Sequence, residues 1–201
     1  MLLLSLLLFL CNVEKMNDCL TDHVGRFPPY RSSTAIGRLA QDRIKSLVTL
    51  GTPHSSPESA LVDQTRGLLR EVEESEACSA AALVKERNLR VTCVGSTAVQ
   101  AKIWTTNPEE LVAATSYLPL TGRLDGEGGD GIVPAALAFL DPPARAVRIQ
   151  QCNKTGEKIR HAHVFPTPWN LLDGASPSIS LPDNFVWYGS EGVVGQWAQY
   201  I

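Results

Sequence analysis

Three short apolar runs constrain this chain most: Ile44 to Leu50, Leu89 to Ser96, and Ala146 to Ile149. Gly51 and Pro53 stop the first, and Gly95 and Ser96 close the second. Runs of this length, rich in β-branched residues and bounded by turn formers, read as buried strands. The stretches between them favour helix. Pro57 to Asn88 sets apolar positions such as Leu68, Leu69, Val72, Leu83 and Val84 among many acids, which predicts one or two amphipathic helices. Asn107 to Tyr117 opens with Pro108 and two glutamates, which suit the positive end of a helix dipole. Apolar residues at near-helical spacing between Glu191 and Ile201 predict a last helix on the sheet. Strands alternating with helices imply parallel βαβ units and an α/β fold class, with functional residues gathered at the carboxyl ends of the strands.

Composition narrows the function. A hydrophobic fraction of 44% across 201 residues can bury one sizeable core. Eighteen basic against 21 acidic side chains, with no run of Lys or Arg, exclude a nucleic-acid surface. The 5 cysteines lack the paired spacing of a structural zinc site, so neither a metal site nor a disulfide framework is expected, and Cys93 reads as a small buried hydrophobe. No residue pattern calls for a cofactor. The apolar block Met1 to Leu10 is shorter than the roughly 20 residues a membrane-spanning helix needs. It fits the core of a secretory signal, a buried strand or helix, or an artefactual N-terminus. Residues 1–43 read as this block plus an irregular cap or loop, and 44–201 as one domain.

An aspartate after the second strand and a histidine after the third should project from one rim of the sheet. A histidine that takes a proton from a nucleophile needs a buried carboxylate to fix its tautomer and stabilise its charged form. Asp130 is the expected carboxylate, with Asp125 and Glu127 as competitors in the same Gly-rich turn and a simple Asx turn as its structural alternative. His163 is the preferred base, with His161 in reserve. His54 reads as a brace at the end of the first strand, and Glu73, Glu74 and Glu76 as a solvated helix face.

Ser46-Leu47-Val48-Thr49-Leu50-Gly51-Thr52-Pro53-His54, Gly129-Asp130-Gly131-Ile132-Val133-Pro134 and Trp187-Tyr188-Gly189-Ser190-Glu191-Gly192-Val193-Val194 together resemble the lipase-type α/β-hydrolases. The likeness is to plant and algal members related to triacylglycerol lipases and GPI inositol-deacylases, and it runs from Arg43 to Ile201. It implies a partial α/β-hydrolase fold, the C-terminal half of a mostly parallel sheet with flanking helices. It assigns the acid to Asp130 and the base to the histidine before Val164-Phe165-Pro166, for which His163 is the better match. A lipid or other small ester is the implied substrate, and a membrane surface fits as a partner. It points to a chloroplast location, whereas the apolar N-terminus points to the secretory route; the sequence does not specify an oligomeric state.

The family nucleophile sits in Gly-x-Ser-x-Gly, because a sharp strand-to-helix turn needs glycines to lift the hydroxyl clear of the sheet. That pentapeptide is nowhere in the 201 residues. Ser33-Thr34-Ala35-Ile36-Gly37 imitates it without an entering strand, and Ser96 in Val94-Gly95-Ser96-Thr97-Ala98 reads as a strand cap. The segments supplying the backbone oxyanion donors are missing as well, and one such donor is worth on the order of 3 kcal/mol in the transition state. The expectation is a truncated ester hydrolase, inactive alone, or a non-catalytic binding module derived from that fold.

Overall fold

The computed structural model describes residues 45–57, 67–161 and 185–201. Residues 1–43 and His163 lie outside this set, and with them the expectations placed there. The three apolar runs form strands β1 (Ser46–Leu50), β2 (Arg90–Ser96) and β3 (Arg145–Ile149), paired in parallel in the order β1-β2-β3. This is an α/β arrangement. In the central strand every residue but Arg90 is buried, as a strand covered on both faces requires.

Alternation along the strands gives the sheet two packed faces, and a third apolar cluster joins Val99 and Ala101 to Ala113, Ala114 and Tyr117. Leu47, Val91 and Cys93 pack with Val72, Cys78, Leu83 and Leu89. Val94 and Ile149 pack with Ile159, Val186, Tyr188 and Val193. The second layer draws the chain's last residues onto the sheet, and Trp197 anchors them by donating its indole N–H to Tyr188 O at 2.9 Å.

The helical connection after β1 differs from the amphipathic helices expected over Pro57 to Asn88. Among the described residues it is α1 (Leu68–Glu74), a 3₁₀ turn (Glu76–Cys78) and a π-type turn (Ala82–Glu86). Ser75 and Ser79 are both extended at the breaks, and the Ser79 hydroxyl accepts from Ala82 N at 3.1 Å. Serine side chains that bond nearby amides compete with continuous helix, which segments the run.

The second connection carries α2 (Pro108–Thr121). Asn107 caps it, its side chain accepting from Glu109 N, and Pro108 fills the first turn, where a missing N–H costs nothing. α2 passes Pro119 and stops within one turn at Gly122, whose φ of 68° is left-handed. The expected tail helix is the single turn α3 (Val194–Trp197), followed by a 3₁₀ turn (Ala198–Tyr200).

Candidate acid–base site

The carboxyl ends of β1 and β2 meet the Gly-rich loop, and Asp130 lies at this junction with 0% exposure. Antiparallel bonds between Val99 and Gly129 bring the loop back beside the segment that leaves β2. Gly129 is required there, since a Cβ would collide with Val133 O and the Tyr117 hydroxyl.

Both carboxylate oxygens of Asp130 are occupied. Oδ1 accepts from Ile132 N at 3.0 Å and Val133 N at 2.7 Å, which is the Asx turn that a buried aspartate among glycines can make. Oδ2 faces away from that turn and meets His161 Nδ1 at 2.9 Å and the Tyr188 hydroxyl at 3.0 Å. One oxygen therefore holds the loop, and the other holds the imidazole. The main chain reinforces the pairing, with His161 N donating to Asp130 O at 2.9 Å.

His161, the reserve candidate, is thus brought to Asp130, whereas the preferred His163 lies outside the described residues. Asp125 and Glu127 are exposed, and Glu127 pairs with Arg148 at 2.8 Å instead. The residues before His161 are tied to α2: Arg160 Nε donates to Glu109 Oε1 at 2.6 Å, and Lys158 lies 3.3 Å from Oε2. Arg160 N also bonds Val186 O. The imidazole is thereby carried on a segment fixed to α2 and to the chain at Val186, and its side chain keeps 29% exposure.

A carboxylate can only accept, so the shared proton sits on His161 Nδ1, leaving Nε2 as the basic nitrogen. Burial alone would lower the affinity of His161 for a second proton. The charge and hydrogen bond of Asp130 outweigh it and raise the histidine above its ordinary value. Tyr188 and Tyr117 are pushed up, first by burial and then by the Asp130 charge, so both remain neutral hydroxyls. The Tyr117 oxygen accepts from Gly131 N at 2.8 Å and steadies the loop from the α2 side.

His54 is only 3% exposed and does not touch this pair. Its Nε2 and the Thr49 hydroxyl are hydrogen-bonded at 3.0 Å, and its amide donates to Leu137 O at 2.7 Å, so it pins the turn after β1 to the acid loop. Ser96 is equally committed: its hydroxyl donates to Ile159 O at 2.7 Å and accepts from Ala98 N at 3.1 Å. Glu73, Glu74 and Glu76 are exposed, although Glu73 also accepts from the amide and hydroxyl of Ser56. Thr34 lies outside the described residues.

Tyr188 and Gly51 have no role in the sequence reading beyond the motifs that contain them. A Cβ on Gly51 would come within 2.5 Å of Asp130 Oδ2 and 2.6 Å of the Tyr188 ring. The bare backbone is what lets the strand end approach the acid, and Gly-Thr-Pro at the end of a strand was its only sequence signal.

Among the described residues no group of three His, Cys, Asp or Glu side chains could hold a metal ion, and no helix is long and apolar enough to cross a membrane. Comparison with protein-family models, with curated proteins and with solved structures finds no match to this chain.

Proposed function

We propose that the chain is the acid–base portion of a lipase-type ester hydrolase, built on the C-terminal half of an α/β-hydrolase sheet. His161 is the general base in this reading and Asp130 its orienting carboxylate. The observation that carries it is the 2.9 Å contact between His161 Nδ1 and a fully buried Asp130 at the carboxyl end of a parallel sheet. Nε2 of a histidine so held takes the proton of an attacking hydroxyl and returns it to the leaving alcohol of a lipid or other small ester. In this reading the hydroxyl comes from another segment, since the sequence contains no Gly-x-Ser-x-Gly and Ser96 is bonded on both sides.

The absence of that elbow favours a second reading, a non-catalytic module that keeps the pair as structure. Both readings leave the present chain inactive, and the transcript upstream separates them. The 201-residue chain should show neither a serine adduct with a fluorophosphonate probe nor turnover of p-nitrophenyl butyrate above buffer. A messenger extending 5′ of Met1 and encoding Gly-x-Ser-x-Gly in frame, with both reactivities restored in its product, supports the hydrolase. An in-frame stop codon immediately upstream supports the module, and a serine adduct on the present chain overturns the assignment of the nucleophile to another segment.

A further inference from the structure

The buried hydroxyl of Tyr188 competes with the imidazole for a single oxygen. It lies 3.0 Å from Asp130 Oδ2, which His161 Nδ1 approaches to 2.9 Å. The hydroxyl oxygen is itself occupied, accepting from Ser96 N at 2.9 Å, so its proton points at the carboxylate. Tyr188 is 2% exposed, and no water is needed to complete either bond. The same ring rests against Gly51, so its place is fixed by the ends of β1 and β2 together.

We infer that Tyr188 is a positioning residue of the acid–base pair, whose hydroxyl withdraws charge from Asp130 Oδ2 and so limits how readily His161 takes a second proton at Nε2. This deepens the hydrolase reading and rests on its Asp130–His161 pair. A carboxylate oxygen divided between two donors offers each less than it would offer one. The positive end of the hydroxyl dipole is directed at the same oxygen, and offsets part of the negative charge that would stabilise an imidazolium. A base too firmly protonated is useless near neutral pH, and Tyr188 opposes that outcome while keeping the ring oriented.

The other groups facing the pair do not supply this effect. Tyr117, from α2, accepts from Gly131 N and lies 3.4 Å from Val99 O, and does not bond the carboxylate. Glu109, in the first turn of α2, is neutralised by Arg160 and Lys158. The Ser96 hydroxyl, at the end of β2, donates to Ile159 O. His54, in the turn after β1, is held by Thr49 and kept uncharged by burial.

The test is the NMR titration of the His161 ring in the full chain. Tyr188→Phe should move its midpoint upward, and by more than Tyr117→Phe does. An unchanged or lowered midpoint in Tyr188→Phe overturns the inference. Should that variant fail to fold, because Ser96 N loses its acceptor, the unsubstituted chain still decides. Its Tyr188 Cζ resonance should follow the His161 midpoint, and a flat Cζ response overturns the proposal. Asp130→Asn separates this inference from the reading beneath it. If Asp130→Asn lowers the His161 midpoint while Tyr188→Phe leaves it unmoved, only the role of Tyr188 falls; if Asp130→Asn has no effect, the pair itself falls.

Discussion

At the scale of single residues, the site turns on how many donors one carboxylate serves. Asp130 accepts four hydrogen bonds, two per oxygen, from Ile132, Val133, His161 and Tyr188. Replacing it by Asn keeps one acceptor oxygen for the loop and turns an amide N–H₂ toward His161. The imidazole must then accept at Nδ1 and carry its proton on Nε2, which removes the base. The raised affinity of His161 comes from Asp130 in spite of burial, so Asp130→Asn should lower the titration midpoint below its present value, as ring-carbon shifts would report. A residue-scale reading of the sequence reached Asp130 because Gly-Asp-Gly-Ile-Val-Pro surrounds it. For the histidine it preferred His163, on the apolar loop that follows, and kept His161 in reserve, because the two share one tripeptide and local sequence does not encode which ring meets a carboxylate 31 positions away. Nor could it find Tyr188, which stands 58 positions from Asp130 and joins it only through the folded chain.

At the scale of elements, the strands were legible and the first helical connection was not. Apolar runs closed by Gly, Pro or Ser carry a strand signal independent of partners. The segment around Ser75 and Ser79 has helical composition, but extended backbone at both serines and the Ser79 hydroxyl's bond to Ala82 N break it, and periodicity does not register caps. The strand end after β1 gives a sharp prediction. Gly51 has φ 55° and no room for a methyl group beside Asp130 Oδ2 and Tyr188. Gly51→Ala should destabilise the protein by about 2 kcal/mol or more, read from urea unfolding, and should also lower the His161 midpoint by pushing the carboxylate off the ring. A milder case is the cap of α2. Asn107→Ala removes the acceptor of Glu109 N and should cost about 1 kcal/mol, with some loss of helical circular dichroism. Glu109 also holds Arg160, so a visible change in the His161 titration should accompany that loss.

At the scale of the whole molecule, two histidines give stability opposite dependences on pH. His161 has a raised folded value, so its stabilising contribution is fully present below the unfolded value near 6.5 and is lost as pH rises through the folded one. His54 is lowered by burial to about 4 from 6.5, so the unfolded chain takes up a proton there before the folded chain does. Its contribution is present above 6.5 and is lost as pH falls toward 4, an effect on the order of 3 kcal/mol over that window. The windows meet near 6.5 and do not overlap, which makes them separable by experiment. Urea unfolding of the unsubstituted chain should show stability declining from pH 6.5 to pH 4, and His54→Gln should flatten that decline while leaving the alkaline limb in place. The isoelectric point of about 5.8 falls inside the acidic window, where repulsion between molecules is least just as the fold begins to loosen. Light scattering on acidification should therefore rise near pH 5.8 in both proteins, but continue to rise toward pH 4 only where His54 is intact. A decline of equal steepness in His54→Gln would mean that the acid sensitivity arises elsewhere than at the turn joining β1 to the acid loop.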